Sequence, residues 1–162
     1  MFDAQTVELA TSVLAACRAK GWHVATAESC TGGLVAAALT AIAGASEVVD
    51  RGFVTYSNEA KMALLGVPEA TLAAVGAISA ESALAMAAGA VSRAGVDLAV
   101  SITGIAGPGG GSAEKQVGLV YLGVVTKTMC RSERHVFPGD RAGIRHAAMI
   151  RALEMLREAA AT

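Results

Sequence analysis

The chain of 162 residues has few aromatic residues, little charge and no paired cysteines. Aromatic side chains make up 4% of the residues and charged ones 17%, whereas hydrophobic residues make up 54%. The net charge of -1 provides no field that would attract nucleic acid or an anionic membrane surface. The three cysteines, Cys17, Cys30 and Cys130, form no CxxC pair and no disulfide pattern, which is typical of a reducing compartment.

Signals for targeting and for division into domains are also missing. No apolar run reaches the roughly 18 residues that a membrane-spanning helix needs. The first residues include Asp3 and Glu8 and lack a basic segment, so no signal peptide is apparent. No internal repeat or linker divides the chain, whose length suits one domain over residues 1–162. We therefore expect a cytoplasmic domain without nucleic-acid or membrane partners.

Predicted helices and strands alternate along the chain. Periodic apolar residues and capping patterns predict helices over residues 3–20, 34–42, 58–65, 79–93 and 140–160. Runs rich in β-branched residues predict strands over residues 22–28, 51–56, 97–103, 118–126 and 130–137. Because only three residues separate the last two strands, they should form an antiparallel hairpin. The pattern predicts a three-layer α/β/α sandwich with a mixed, mostly parallel sheet of about five strands.

In such a sheet, loops at the carboxyl ends of the parallel strands should meet at one site. These loops are residues 28–33, 56–61 and 103–115. The third is rich in glycine, but it is not a Walker A motif, because no GK[ST] sequence follows it. It is also not a GxGxxG turn that opens a helix, since a strand follows. The loop can offer backbone N–H groups to a phosphate or ribose; a plain flexible loop is the alternative.

The most informative stretch is residues 24–35, in which a short strand ends in a polar turn and a small-residue helix follows. Its two consecutive glycines let the backbone approach a ligand closely, and the first helical N–H groups are expected to point outward, unpaired. Such a turn can present a nucleophile, Ser29 or Cys30, or bind an anion. We favour an inward, packed Cys30. An ordinary strand–helix turn with Thr31 as the N-cap is the alternative.

Lys61 is the best candidate for a base that activates Ser29. It lies in the first turn of a predicted helix that Ser57 caps, where the helix dipole disfavours a cation. Leu64 and Leu65 follow at helical spacing, so Lys61 shares the inward face. Burial at a positive helix end lowers the pKa of a lysine, and a neutral amine is what a serine nucleophile requires. The alternative is a lysine that extends into solvent.

Other polar residues give weaker signals. The three histidines lie in no catalytic or metal-binding pattern such as HExxH, so they are expected to be structural or exposed, and no metal site is predicted. Arg141 and Arg145 lie one turn apart on the predicted inward side of the last helix, near its positive end. A bound anion such as a substrate phosphate would offset both unfavourable placements. Pairing with Glu28 or Glu114 is the alternative.

Four separated motifs, in this order, resemble one family. They are TAESCTGG at residues 26–33, GFVTYSNEAK at 52–61, SITGIAGPGGG at 101–111 and FPGDR at 137–141. Nearly the whole chain resembles the C-terminal domain of the competence/damage-inducible protein CinA and its stand-alone form, nicotinamide-nucleotide amidase. One departure is Gln116, where relatives often carry proline after the lysine; it falls in a loop.

The resemblance implies hydrolysis of nicotinamide mononucleotide to nicotinate mononucleotide and ammonia, a step of pyridine nucleotide recycling. By motif match, Ser29 and Lys61 form the catalytic dyad, and no metal or organic cofactor is needed. From their positions, Tyr56 or Ser57 is expected to help steer the proton. The residues expected to bind the substrate are Cys30, Thr31, Gly32, Gly33, Ser57, Thr103, Gly104, Gly107, Arg141 and Arg145.

Two other functions remain open at this point. One is a nucleotide-binding module that keeps the loops without turnover, and the other is a serine–lysine hydrolase of another nucleotide amide. The N-terminal domain of full-length CinA is not represented in the sequence, so we expect no pyrophosphatase activity. We also expect a homo-oligomer.

Overall fold

The computed structural model describes all residues from 1 to 162, and a five-stranded sheet forms its centre. The strands are β1 Val24–Glu28, β2 Val49–Val54, β3 Leu98–Gly104, β4 Leu119–Thr126 and β5 Cys130–Val136. Their order across the sheet is β2-β1-β3-β4-β5. β2, β1 and β3 are parallel, whereas β4 and β5 extend the sheet as an antiparallel hairpin. The mixed sheet predicted from the sequence is confirmed.

Helices cover both faces of the sheet. They are α1 Ala4–Lys20, α2 Leu34–Thr40, α3 Asn58–Leu65, α4 Glu69–Val75, α5 Ala80–Ala94 and α6 Arg141–Ala161. On one face, α1, α2 and α6 bury the main core of 28 residues against β1, β3 and β4. On the other face, α3 and α5 bury a smaller core of eight residues against β1 and β3. The arrangement is the predicted three-layer α/β/α sandwich.

The two central strands are buried on both faces, and their side chains differ in size from one face to the other. In β3, Leu98, Val100 and Ile102 face the main core. On the opposite face, Ala99 packs in the smaller core and the Ser101 hydroxyl donates to a carbonyl of α5. Small side chains on this face let α5 lie close to the sheet.

A glycine brings α3 against α5. Gly89 lies in α5, and a Cβ atom built at this position would be 2.0 Å from the Leu65 carbonyl oxygen at the end of α3. No side chain fits there. Helix α3, and with it Lys61, can therefore take this position only because residue 89 is a glycine.

Several elements differ from the sequence prediction: β1 begins at Val24 rather than at residue 22, and α2 ends at Thr40 rather than at residue 42. β2 begins and ends two residues earlier than the predicted range 51–56, because it is an edge strand whose mostly exposed residues carry a weak hydrophobic pattern. α4 was not predicted, since none of its residues is buried and no apolar stripe marks it. None of the helices combines the length and the apolar character needed to cross a membrane.

Candidate active site

Ser29 directly follows β1, which lies between its two parallel neighbours β2 and β3. Its N–H donates to the Ile102 carbonyl of β3 at 2.9 Å. On the other side, the Thr55 N–H donates to the Glu28 carbonyl at 2.8 Å. These bonds continue both strand ladders past the end of β1, so the position of Ser29 is fixed from both sides. The residue is 9% exposed.

Lys61 reaches Ser29 from α3. The Ser57 hydroxyl accepts from the Ala60 N–H at 3.0 Å and caps this helix, as predicted. Lys61 Nζ lies 3.0 Å from Ser29 Oγ and donates to the Thr55 carbonyl at 2.8 Å. The Tyr56 carbonyl lies 3.5 Å from the same nitrogen. Lys61 is 1% exposed, so it does not extend into solvent.

The environment of Lys61 favours a neutral amine. Desolvation lowers its pKa, and no carboxylate lies within salt-bridge distance to compensate. A neutral amine has two N–H groups and one lone pair. The carbonyls of Thr55 and Tyr56 can accept both N–H groups, which leaves the lone pair for the Ser29 hydroxyl. This geometry provides a nucleophile hydrogen-bonded to a base.

Cys30 has a different environment from Ser29. It packs in the main core, which is the inward placement favoured from the sequence. Burial raises the pKa of its thiol to about 11, and the nearby Arg145 charge offsets this only in part. Since the thiolate is the reactive form of cysteine, the Cys30 thiol is a poor nucleophile at neutral pH.

The turn after Ser29 is held by a buried carboxylate. Glu28 is fully buried, and its carboxylate accepts from the N–H groups of Gly33, Val35 and Ala36 at 2.9 to 3.1 Å. The expectation that the first N–H groups of α2 are unpaired is therefore wrong. Thr31 as the N-cap is also wrong, because Gly33 precedes the helix and no side chain caps it from that position.

The two arginines of α6 have different surroundings. Arg141 donates to the Gly107 carbonyl at 2.7 Å and to the Tyr56 hydroxyl at 3.1 Å. Arg145 donates from Nε to the Cys30 carbonyl at 3.0 Å and from Nη2 to the Thr31 carbonyl at 2.9 Å. Neither arginine pairs with Glu28 or Glu114.

A cavity of about 300 Å³ opens above Ser29 and Lys61. Three loops contribute to it at the carboxyl ends of β1, β2 and β3, as expected for the parallel part of the sheet. Of the predicted site residues, those that line it are Ser29, Cys30, Tyr56, Lys61, Thr103, Gly104, Gly107 and Arg141. Those that do not line it are Thr31, Gly32, Gly33, Ser57 and Arg145. Arg145 instead borders an adjacent hollow of about 460 Å³ that Arg141 also lines.

One wall of the cavity was not predicted from the sequence; Ala77 and Ile78, between α4 and α5, form it. The carbonyls of residues 75–78 all accept from side chains. Lys115 Nζ donates to the Val75 and Ile78 carbonyls at 2.9 and 2.8 Å. The Gly76 carbonyl accepts from two serines of the α5 cap, and the Ala77 carbonyl accepts from Thr103. The capping pattern at Ser79 was the only sequence signal near this wall.

The histidines lie away from the cavity. His135 stacks on Phe137 and pairs with Glu133, and His146 pairs with Asp3. The backbone N–H of His23 donates to Asp97. No group of three or more His, Cys, Asp or Glu side chains is placed to hold a metal ion.

The chain is similar to one protein family and to several curated proteins. The model of the CinA C-terminal domain family matches residues 6–160. The chain is 51% identical over 160 residues to the nicotinamide-nucleotide amidohydrolase PncC of Enterobacter agglomerans, covering 98% of each chain. It is 49% identical to the protein of the same name from Escherichia coli (strain K12), covering 96% of this chain and 95% of that one. It spans only about a third of longer relatives, such as a CinA-like protein from Citrifermentans bemidjiense, with 54% identity.

Solved structures are similar over the whole fold. A competence/damage inducible protein from Agrobacterium tumefaciens superposes with a TM-score of 0.96 at 49% identity, covering 100% of this chain and 99% of that one. A CinA superfamily protein from Klebsiella pneumoniae superposes with a TM-score of 0.92 at 40% identity, covering 96% and 98%.

Proposed function

The chain belongs to the CinA C-terminal domain family, and from that premise we propose that it hydrolyses the carboxamide of nicotinamide mononucleotide, releasing ammonia and nicotinate mononucleotide. The observation that carries the proposal is the 3.0 Å contact between Lys61 Nζ and Ser29 Oγ at the floor of a cavity. Relatives that match nearly the full chain are named for this amidohydrolase activity.

The first half of the reaction is acylation of Ser29. Neutral Lys61 takes the hydroxyl proton while Ser29 Oγ bonds to the carboxamide carbon, giving a tetrahedral oxyanion. When the oxyanion collapses, the carbon–nitrogen bond breaks. Protonated Lys61 returns its proton to the departing nitrogen, which leaves as ammonia. An ester between Ser29 and the nicotinoyl group remains.

The second half is hydrolysis of that ester. Lys61, neutral again, takes a proton from water as the water oxygen bonds to the acyl carbon. Collapse of the second tetrahedral intermediate breaks the bond to Ser29 Oγ, and Lys61 returns the proton to this oxygen. Nicotinate mononucleotide leaves as the carboxylic acid and ionises in solution. Serine and lysine supply all the proton transfers, so the reaction needs no metal or organic cofactor.

Backbone N–H groups after Ser29 would stabilise the oxyanion. The Gly32 and Gly33 N–H groups are taken by the Ser29 carbonyl and the Glu28 carboxylate. Those of Cys30 and Thr31 donate to no other residue of the protein. Of these two residues only Cys30 lines the cavity, so we assign the oxyanion contact to the Cys30 N–H.

The part of the cavity that Arg141 and the glycine-rich loop line suits a phosphate. Arg141 lines it and is exposed, so its charge is available to a ligand. The N–H groups of Ala106, Gly107, Gly109 and Gly110 have no acceptor within the protein. A guanidinium beside free backbone N–H groups is a common way to hold phosphate oxygens. Of the two arginines predicted to bind the phosphate, we assign this role to Arg141.

An ammonia-release assay tests the proposal. The substrates are nicotinamide mononucleotide, nicotinamide riboside, free nicotinamide and other nucleotide amides, with the Ser29→Ala protein as the control for contaminating activity. Nicotinamide mononucleotide should be the best substrate of the panel. Binding of this nucleotide without ammonia release would instead support a non-catalytic module. Faster release from another amide would identify a different substrate for the same dyad.

A further inference from the structure

We infer that Lys115 is a positioning residue, whose ammonium holds the wall of the cavity at residues 75–78. Held in this way, Ala77 and Ile78 pack against the aromatic ring that bears the substrate carboxamide. The inference rests on the proposed amide hydrolysis, and it concerns the part of the site that binds the ring rather than the phosphate.

The ammonium of Lys115 binds only this wall. It donates to the Val75 carbonyl at 2.9 Å and to the Ile78 carbonyl at 2.8 Å. A Cβ atom built at Gly76 would lie 3.3 Å from the same nitrogen, so the ammonium lies against the backbone between the two carbonyls. Hydrogen bonds from a charged donor are roughly twice as strong as neutral ones. Lys115 therefore fixes the wall at both of its ends.

The backbone of Lys115 is itself fixed in the glycine-rich loop. Its N–H donates to the Ser112 hydroxyl at 3.0 Å, and the Ser112 N–H donates to its carbonyl at 2.7 Å. The side chain thus extends from a closed turn. Lys115 connects the loop, which lines the cavity, to the wall that lines it at residues 77 and 78.

The wall has few other attachments. None of the residues of the preceding helix α4 is buried, so this helix adds little packing that would hold the wall. The hydroxyls of Ser79 and Ser82 donate to the Gly76 carbonyl at 3.0 and 2.6 Å. No other group donates to the Val75 or Ile78 carbonyl. Loss of the ammonium would leave both of these carbonyls to water and both ends of the wall free to move.

The wall lies one strand away from the nucleophile. The Thr103 hydroxyl, near the end of β3, donates to the Ala77 carbonyl at 2.9 Å. The Ser29 N–H donates to the carbonyl of Ile102, the residue directly before Thr103. Neighbouring strands are about 4.8 Å apart, and Ser29, Thr103 and Ala77 all line the same cavity. The wall therefore borders the space next to Ser29 on the side of β3.

The ring of the substrate has to enter this space. The carboxamide carbon of nicotinamide is bonded directly to the ring, so bond formation at Ser29 Oγ brings the ring close to the same atom. Ala77 and Ile78 line the cavity there with partly exposed apolar surface. An aromatic ring that packs on such a surface is stabilised by the apolar area it buries. This contact is the same before and during the reaction, so its loss should raise KM rather than lower kcat.

The first experiment compares kcat and KM of Lys115→Met and Lys115→Arg on nicotinamide mononucleotide and on nicotinamide riboside. The control is Lys127→Met, at an exposed position between β4 and β5, which should match the parent. Lys115→Met keeps a long side chain without a donor, so KM should rise about 10-fold on both substrates. The value of kcat should change less than about threefold. Lys115→Arg should restore most of the affinity, because a guanidinium can donate to both carbonyls.

Two results would overturn the inference. A rise in KM confined to the nucleotide would show that Lys115 acts on the phosphate. A fall in kcat with an unchanged KM would show that the substitution only reduces the amount of folded enzyme.

A double-variant cycle tests whether Lys115 acts through the wall. Ile78→Ala alone should also raise KM on both substrates, since it removes apolar surface from the ring contact. If the two residues act together, adding Lys115→Met to Ile78→Ala should raise KM by less than about threefold more. Full additivity of the two effects would contradict the inference.

A further measurement does not depend on the identity of the substrate. A sulfonyl fluoride should sulfonylate Ser29: the Oγ–S bond forms, the S–F bond breaks, Lys61 takes the serine proton and fluoride leaves. Mass spectrometry gives the labelling rates for phenylmethanesulfonyl fluoride and for methanesulfonyl fluoride, which lacks the ring. Lys115→Met should lower the ratio of the aromatic to the methyl rate about fivefold relative to the parent.

This ratio separates the role of Lys115 from the proposed function. A lowered ratio in a protein inactive on nicotinamide mononucleotide would refute the proposed function while supporting the role of Lys115. A ratio equal to that of the parent would refute the role itself.

Discussion

Lys61 Nζ lies 3.0 Å from Ser29 Oγ although the two residues are 32 positions apart in the chain. Ser29 follows β1, and Lys61 lies in the helix that follows β2, its parallel neighbour. The pairing of Glu28 with Val54 aligns the ends of these two strands. The contact therefore depends on the register between two strands and on the cap that starts α3.

Ser29→Ala should abolish amide hydrolysis, whereas Cys30→Ala should retain most of it. The serine has a base within hydrogen-bonding distance, whereas burial raises the pKa of the Cys30 thiol to about 11. Loss of a nucleophile of this kind costs about 10³-fold or more in kcat. Ammonia release under saturating substrate measures both variants. An inactive but folded Cys30→Ala beside an active Ser29→Ala would falsify the assignment.

Activity should rise with pH as Lys61 loses its proton. Burial lowers the pKa of Lys61 below its ordinary value of 10.5, and the neutral amine is the active form. The profile of kcat/KM against pH should therefore rise through the lowered pKa and level off above it. Lys61→Arg should be inactive at every pH, because a guanidinium keeps its proton throughout this range. A fully active Lys61→Arg protein would exclude lysine as the base.

Arg141→Ala should weaken binding of the phosphorylated substrate only. A charge-assisted hydrogen bond contributes about 1.5–3 kcal/mol, so KM for nicotinamide mononucleotide should rise about 10- to 150-fold. Nicotinamide riboside, which lacks the phosphate, should change little. Arg157→Ala, at an exposed position of the same helix, is the matched control. An equal rise in KM for both substrates would indicate that the phosphate binds in another part of the cavity.

Gly89→Ala should destabilise the protein, although alanine is the better helix former by about 1 kcal/mol. The added Cβ atom would lie 2.0 Å from the Leu65 carbonyl oxygen, and a backbone atom cannot move aside cheaply. We expect a net loss of about 1–3 kcal/mol in urea unfolding. Ser92→Ala, at an exposed position of the same helix, is the control and should be close to neutral. A Gly89→Ala protein as stable as the parent would show that α3 can shift without cost.

Glu133 should stabilise the protein only above acidic pH. Arg151 of α6 binds both its carboxylate oxygens at 2.8 Å and is the main cause that lowers the pKa of Glu133 to about 2 from 4.5. For a lowered carboxylate pKa, the stabilisation is present above 4.5 and disappears as the pH falls from 4.5 towards 2.

Glu133→Gln should therefore lower the free energy of unfolding by about 1–3 kcal/mol at neutral pH. The difference from the parent should shrink as the pH approaches 3, as urea titrations at several pH values can show. Glu114→Gln, in an exposed loop, serves as the control. A difference that stays constant across this range would contradict the ion-pair explanation.

Local patterns were sufficient to predict the sheet, the capped α3 and the inward Lys61. Ser57 before a short amphipathic helix is a local signal, and it correctly fixes which way Lys61 faces. Ser29 and Lys61 also follow adjacent parallel strands, so their meeting point follows from the strand order.

Contacts between distant segments could not be predicted in this way. The helical wheel places Arg145 on the inward side, but its partners at Cys30 and Thr31 are more than 110 residues away. Glu28 caps α2 from five to eight residues upstream, which no N-cap pattern describes. Lys115 reaches the wall at residues 75–78 across an unpredicted helix that has no buried side chain.

Because β2 lies at the edge of the sheet, loss of activity should report the local opening of this strand. β2 has a single neighbour, mostly exposed residues and an irregular register between Val24 and Ala25. Edge elements of this kind open with a smaller free energy than the whole fold requires. Opening of β2 would carry Lys61 away from Ser29 while β1, β3 and the main core stay intact. On heating, ammonia release should therefore cease at a lower temperature than the one at which the helical circular dichroism signal is lost.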